Sequence, residues 1–477
     1  MTHVHLVGIG GAGLSAIARV LLEKGETVSG SDRTLSAMAQ ALREAGARVF
    51  IGHNAGNITG ADYLVRSSAI PDDNVEVQAA LSIGIPVFKR AEFLPTLMRD
   101  LSVIAVAGTH GKTTTTGMIA WMLTELGLDP SFIVGSTVAN LERNARAGKG
   151  AIFVIEADEY DRMFLGLEPT IAVVTNIEHD HPDCFPSEAE FRKAFLKFAQ
   201  QLRPEGILLT CSDDQGARWL HTQMETSGTH NLTYGLNHWL GHSGPDYYCR
   251  GLQANQLGGF DFEFVSPRTF VQDDSASIKV ELQVPGRHNV INATATLAVA
   301  DLLHLPLDQA ARALSKFRGT ARRFEIRGEA KQVIVIDDYA HHPTEIRATL
   351  AAARARFPNL EIWALWQPHT YSRTRALYTD FTQAFVDADH VVVLDVYAAR
   401  EALPSDGFTS REIAHAILHD DVQYRPELFQ SPGWLLERLK PGSVLLVLSA
   451  GDADQLSSRV LADLRMQVKN EIFSGEN

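Results

Sequence analysis

The chain has 477 residues, 45% of them hydrophobic, enough for two to four domains with separate cores. A net charge of −14 argues against a nucleic-acid binder, so an anionic substrate has to be held by glycine turns and a few local cations. Three scattered cysteines make no disulfide or zinc pattern, and no apolar run approaches the roughly 20 residues of a bilayer span, so a cytoplasmic protein without a membrane partner is expected.

His3 to Val7 reads as a strand running into Gly8-Ile9-Gly10-Gly11-Ala12-Gly13, with a helical pattern from Leu14 to Leu22. A second strand, Glu26 to Gly30, leads to Asp32. A G-x-G-x-x-G turn after a strand, with an acid about 20 positions on, lets a diphosphate approach the backbone. A helix is expected at Ser36 to Ala45, then strands at Arg48 to Ile51 and Tyr63 to Arg66. His53 and Ser67 follow those strands, where open α/β sheets bind ligands, although plain loop chemistry explains such residues equally well. The first domain is expected to span residues 1–99.

Val103 to Ala107 is an apolar strand that breaks at Gly108-Thr109-His110-Gly111 and enters a helix at Lys112-Thr113-Thr114. A strand, glycine turn and helix N-terminus form a phosphate cradle: freed N–H groups point inward, Lys112 reaches terminal phosphates and the Thr113 hydroxyl suits Mg²⁺. The spacing departs from G-x-x-x-x-G-K-[ST], because Gly108 stands only three residues before Gly111. Strand Ala151 to Ile155 delivers Glu156-Ala157-Asp158-Glu159, and strand Ile171 to Val174 delivers Thr175-Asn176-Ile177-Glu178-His179-Asp180-His181. Carboxylates at two successive strand ends beside a phosphate loop suit a hard cation. From about Asn231 to Pro285, short alternating strands suggest an antiparallel insertion or sheet edge. Pro285-Gly286-Arg287-His288-Asn289 opens an alanine-rich helix, where Asn289 and Asn292 serve either as caps or as base and ribose contacts. The second domain is expected over residues 100–319.

The third, residues 320–477, repeats the βα style. Its strands at Val333 to Ile336, Ile362 to Leu365, Val391 to Leu394 and Val444 to Leu448 each end in polar residues, so one face is functional. The expected class is α/β in three domains: an N-terminal Rossmann-like unit, a central P-loop ATPase-type unit and a C-terminal Rossmann-like unit.

Gly-Thr-His-Gly-Lys-Thr-Thr-Thr, Glu-Ala-Asp-Glu, Thr-Asn-Ile-Glu-His-Asp-His, Gly-Arg-His-Asn and Asp-Asp-Tyr-Ala-His-His-Pro occur in that order. Together they resemble the Mur ligase family of cytoplasmic peptidoglycan enzymes, over the whole chain. The opening Val-Gly-Ile-Gly-Gly-Ala-Gly-Leu-Ser, with Gln-Pro-His-Thr-Tyr-Ser-Arg-Thr-Arg and Tyr-Ala-Ala-Arg-Glu, is similar to the branch that joins L-alanine to UDP-N-acetylmuramate. The resemblance implies an ATP- and Mg²⁺-dependent ligase with small-molecule partners, as a monomer or homodimer. It implies that Gly8, Gly10, Gly11, Gly13, Asp32, His53 and Ser67 hold the UDP-sugar, and that His369, Arg373 and Arg375 approach its muramate and phosphates. Gly108 to Thr114, Asn289, Asn292, Arg323 and Asp338 would bind ATP. Thr113, Glu156 and His181 would bind metal, Tyr339 would line the amino-acid pocket, and Lys112 and His342 would be catalytic.

His179 stands where the family usually has proline, Tyr160 where it has serine, and Ser136 where a second glycine is common. The modified lysine of some members has no counterpart here; Lys193 and Lys197 read as surface residues on a helix. Two competitors share features: a recycling ligase that attaches a tripeptide to the same sugar, and a non-catalytic nucleotide-sugar sensor. A dehydrogenase is disfavoured by the separate phosphate loop.

Overall fold

A computed structural model describes residues 1–236, 244–267, 277–430 and 432–474. Three sheets follow one another along the chain. The first has five strands, in spatial order Arg48–Ile51, Thr27–Asp32, His3–Val7, Tyr63–Arg66 and Val87–Lys89, all parallel. The helix after the first glycine turn is Ala12–Glu23, and Ser36 caps helix Ala37–Glu44 by accepting from Ala39 N. The second strand runs two residues further than its apolar pattern, so Asp32 is its last residue and its carboxylate accepts from Gly10 N at 2.9 Å.

The central sheet has ten strands. Its core is parallel, with Ser102–Ala107 between Ile152–Glu156 and Ile171–Val174. Valine, isoleucine and alanine on both faces of these strands are buried, which is why they read as unbroken apolar runs. Beyond Ile207–Cys211, the expected antiparallel insertion begins differently: His230–Gly235 pairs parallel with that strand and with the start of Tyr247–Ala254. Among the described residues of this stretch, Tyr247–Ala254, Phe260–Val265 and Ile278–Leu282 form an antiparallel edge, and at the sheet's other edge Ser131–Val138 pairs antiparallel with Arg143–Arg146. Parts of that stretch, 237–243 and 268–276, lie outside the described residues. Helix Arg287–Leu302 is buried along most of its length, and Thr294 and Thr296 spend their hydroxyls on carbonyls one turn back, Val290 O and Asn292 O.

The third sheet has six strands, ordered Glu325–Ala330, Val333–Asp338, Ser443–Leu448, Glu361–Trp366, His390–Val393 and Val422–Tyr424. The first is antiparallel to its neighbour and the rest are parallel. The connector leading into this sheet carries two non-glycine residues in the left-handed region, Arg322 (φ 58°) and Phe324 (φ 47°). Backbone bonds pin both: Arg322 N donates to Glu325 Oε2 and Phe324 N to Asp338 Oδ2. The three cysteines are free, and burial pushes the Cys211 and Cys249 thiols up to about 12 and about 11. No helix among the described residues is long and apolar enough to cross a membrane.

Candidate active site

The turn after Ser102–Ala107 shows why its glycines are needed. Gly108 has φ 141°, and a Cβ there would lie 2.0 Å from Thr175 Oγ1. Gly111 has φ 79°, and its Cβ would meet Asn292 Oδ1 at 2.9 Å. Only glycine takes these angles with neighbours so close. Helix Lys112–Glu125 starts at once, with no side chain capping it, so its first N–H groups face the turn. The next parallel strand supports the loop: Asn176 Oδ1 accepts from His110 N, and Thr109 Oγ1 donates to Glu178 O.

Lys112 Nζ donates to Gly108 O, to Thr109 O at 3.1 Å and to Glu159 Oε1 at 3.0 Å. Burial alone would lower its pKa; the charges of Glu159, Asp158 and Glu156 outweigh that and raise it. Glu156 accepts from the Thr113 hydroxyl at 2.9 Å and from Gly135 N at 2.6 Å. Burial raises the Glu156 pKa against the pull of Lys112. A buried hydroxyl and carboxylate, held together and under-compensated for charge, are the hard oxygen donors that Mg²⁺ takes, so these residues fit that ion. His181, with φ 54°, places Nε2 3.5 Å from Glu159 Oε1, at the same cluster. The departures in this region have structural uses. Tyr160 packs edge-on against His181 and donates to Asp183, His179 Nε2 meets Phe185 O, and Ser136 donates to Ala321 O in the connector.

A cavity of about 680 Å³ opens from this loop between the central and C-terminal domains. Its walls include His110, Gly111, Thr113, Thr114, Asn289, Asn292, Arg323 and Asp338, so eight of the expected ATP residues share one space, while Gly108, Thr109 and Lys112 stand outside its lining. Asn289 is tied back to Pro285 O and accepts from Asn292; the helix cap itself is Gly286. Asp338 accepts from Phe324 N and Ala340 N, and burial, opposed by Arg323, pushes its pKa up to about 6. Tyr339 lies under both Arg322 and Arg323, at 5.1 and 5.2 Å from its ring centre.

The histidines divide into two charge states. His110 is buried, which would lower its pKa, but Glu178 (3.0 Å from Nε2) and Glu345 (3.2 Å from Nδ1) raise it to about 9. His342, 4.7 Å away between ring centres, goes the other way: burial and then the His110 charge lower it to about 4. His342 Nδ1 accepts from Thr344 N and so caps helix Pro343–Arg356, while its Nε2 has no hydrogen-bond partner among the described residues. His110, Glu178 and His342 bring three possible ligand atoms within 4.8 Å of one another. A proton held on His110 to about pH 9 and a cap on His342 Nδ1 oppose metal binding there, and the cluster reads as a charge network.

The residues expected at the sugar's acidic end are only partly assembled. His369 and His341 pack edge-to-face beside Tyr339. Arg373, assigned to the muramate or its phosphates, is instead buried with its guanidinium on Asp180, Nε to Oδ1 at 2.8 Å and Nη2 to Oδ2 at 3.3 Å, and with Nη1 on His369. Arg375 points away, exposed and paired with Asp406. In the first domain Gly8, Gly10, Gly11, Gly13, Asp32, His53 and Ser67 do gather at the strands' carboxyl ends. Glu76, fully buried, fixes that edge by accepting from Ser31 Oγ, Asn54 N and Asn57 Nδ2, and its pKa is lowered to about 2. Burial opposes that shift and hydrogen bonds from His5, Ser31 and Asn57 drive it. Arg90 lies against Gly13 and reaches Asp158 at 3.3 Å, joining this edge to the acidic cluster.

Glu159, Glu178, Asp180 and Glu345 are the residues here to which sequence reasoning gave no individual role. Asp180 and Glu159 sit inside quoted motifs without a marked role, and Glu345 carried one local signal, an acid three residues after the capping His342.

Residues 3–101 match the Mur ligase family catalytic domain, 106–300 the Mur ligase middle domain and 322–451 the Mur ligase glutamate ligase domain. The UDP-N-acetylmuramate–L-alanine ligase of Roseiflexus sp. (strain RS-1) is 43% identical, over 98% of this chain and 100% of its own. The enzyme of the same name from Acidithiobacillus ferrooxidans is 42% identical, over 96% of each chain. Among solved structures, the UDP-N-acetylmuramate-alanine ligase of Thermotoga maritima superposes with a TM-score of 0.79 at 28% identity, covering 98% of this chain and 100% of that one. A murein peptide ligase from Psychrobacter arcticus gives 0.72 at 25% identity, over 98% and 99%. With its three sheets, its phosphate loop and these full-length relatives, the chain belongs to the Mur ligase family.

Proposed function

We propose that the protein joins L-alanine to the lactyl carboxylate of UDP-N-acetylmuramate at the expense of ATP, in peptidoglycan precursor synthesis in the cytoplasm. The observation that carries this reading is a cavity shared by two domains and walled by His110, Gly111, Thr113 and Thr114 of the phosphate loop, with Glu156 behind Thr113 on its hydroxyl and Lys112 next to it in the loop. Domains of residues 1–99, 100–319 and 320–477 then hold the UDP-sugar, ATP and the incoming amino acid.

A carboxylate does not condense with an amine at neutral pH, because its oxygen is a poor leaving group. A lactyl carboxylate oxygen attacks the γ-phosphorus of ATP, the bond to the β–γ bridging oxygen breaks, and acyl phosphate and ADP result. The alanine amine attacks the acyl carbon, the tetrahedral intermediate expels phosphate, and the amine gives up a proton. The residues' task is to bring two anions together. Lys112 leaves its carbonyl and Glu159 contacts for terminal phosphate oxygens, His110 and Arg323 add positive charge at the same wall, and the helix N–H groups supply the rest. Thr113 and Glu156 would hold Mg²⁺, and His181 would serve a second ion; a bound ion would supply further charge neutralisation. Docking of the C-terminal domain excludes water that would hydrolyse the acyl phosphate.

The test is phosphate release with ATP, Mg²⁺ and UDP-N-acetylmuramate, comparing L-alanine with glycine, L-serine and the tripeptide. With both carboxylate oxygens of the sugar labelled with oxygen-18, one label should leave in the released phosphate and the other should stay in the amide carbonyl; released phosphate free of label during coupling refutes the acyl phosphate. The tripeptide-recycling alternative predicts turnover with tripeptide and none with L-alanine.

A further inference from the structure

Glu345 belongs to the C-terminal domain, in the first turn of helix Pro343–Arg356, and is nearly fully buried. Its Oε2 accepts from His341 N at 3.0 Å. That bond returns to the backbone one residue ahead of the capping His342, a variant of what a capping glutamate makes. Capping does not explain the other oxygen. Oε1 lies 3.2 Å from His110 Nδ1, in the phosphate loop of the central domain, and accepts from Arg323 Nη1 of the connector at 3.1 Å. The far side of the His110 ring meets Glu178 Oε2 at 3.0 Å, and Glu178 Oε1 accepts from Thr344 Oγ1 of the same C-terminal helix at 2.8 Å. One imidazole in the loop is therefore gripped by a carboxylate from each domain, on the wall of the nucleotide cavity.

We infer that Glu345 is a positioning residue through which docking of the C-terminal domain sets the phosphate loop, by holding His110 and Arg323 toward the phosphoryl group in transfer. The inference rests on reading the cavity as the ATP site. Cations in a dry site keep their charge and orientation only while a carboxylate faces them. When the C-terminal domain moves off, Glu345 and Arg323 leave with it, and His110 loses that anchor. Phosphoryl transfer then waits for the assembled state, which protects ATP from water while the acceptor amine is absent.

Glu345→Gln separates the two roles, because glutamine keeps an oxygen for His341 N and loses the charge. Full-length wild type, E345Q, H110N and the double variant are compared in the phosphate-release assay, with thermal melting and direct binding of UDP-N-acetylmuramate. The expected result for E345Q is a kcat lowered roughly 10–100-fold, the loss that misplacing a group near the chemistry brings. Its KM and affinity for the UDP-sugar should stay within about twofold because the first domain is untouched, while its melting point should fall because two cations lose their carboxylate, so kcat is read well below that melting point. In the H110N background the same change should cost much less. Wild-type kcat in E345Q, or losses from E345Q and H110N that simply multiply, overturns the inference. If E345Q does not fold, E345D replaces it: its shortened carboxylate should lower kcat non-additively with H110N, and wild-type kcat overturns the inference. A wild-type protein that consumes no ATP with any amine overturns the ATP-site reading as well.

Discussion

Two sides of the seam between the central and C-terminal domains treat the same side chain in opposite ways. On the central-domain side, His110 is ringed by Glu178 and Glu345 and keeps its proton to about pH 9. On the C-terminal side, His342, His341 and His369 are held down to about 4, about 3 and about 4 by burial first, with neighbouring positive charge adding to it. The difference comes from what each strand end delivers. The central sheet ends in carboxylates; the C-terminal sheet ends in histidines packed around Arg373 and Tyr339. The central side thus carries a fixed positive charge at its phosphate loop, while the C-terminal side carries neutral rings. An amine that must lose a proton beside a phosphoryl donor needs both.

Breaking the charged side should have the largest effect. Lys112→Ala is expected to lower ADP formation by at least about 10³-fold, since the terminal phosphates lose their main cation. It also strands Glu159, only 1% exposed, so the double change K112A/E159Q is the version expected to keep the fold; near-normal turnover in either refutes the role of Lys112. Next comes the contact that seats the C-terminal domain. Asp180→Asn leaves the buried Arg373 without its carboxylate, at a cost of about 3–5 kcal/mol. A more open solution shape by X-ray scattering and faster proteolysis in the connector are expected; an unchanged scattering profile counts against the contact as a latch.

The pH dependence sharpens the comparison further. His110 is raised from an unfolded value near 6.5, so its stabilising contribution is fully present below about pH 6.5 and disappears as pH rises to about 9. His342 is lowered, so its neutral form supports the fold above about pH 6.5 and that support is lost as pH falls toward about 4. Melting curves should show H110N losing most relative to wild type on the acid side of that upper window. H342N should gain relative to wild type as pH falls from about 6.5 to 4. Parallel curves for the two variants would erase the distinction. The smallest effect belongs to Lys193→Ala and Lys197→Ala: both are exposed on helix Glu188–Ala199, and kcat should stay within about twofold.

What local pattern can reveal explains which parts were legible. Strands such as Val103 to Ala107 and Ile171 to Val174 are buried on both faces, so composition alone marks them, and glycine followed by Lys-Thr marks the turn. The edge strand Glu325–Ala330 alternates arginine, glycine and glutamate over an exposed face, and nothing in its composition distinguishes it from a loop. His230–Gly235 carries the alternation of an antiparallel strand yet joins a parallel row, because partner choice is a long-range matter. The same holds for the site. Lys112, Thr113 and Glu156 announce themselves within short motifs, whereas Asp180 meets Arg373 across 193 positions and no window of sequence contains both. Arg373 therefore carried a substrate assignment that its buried partner now competes for.

The connector between the central and C-terminal domains bears on how the molecule opens. Left-handed backbone at Arg322 and Phe324 is costly for side chains of that size, on the order of 1 kcal/mol each. It persists because Glu325 and Asp338, both part of the domain it carries, grip the amides on either side. Because both acceptors lie on the domain that the joint leads into, the bend is held from that side alone and stays a fixed part of that domain.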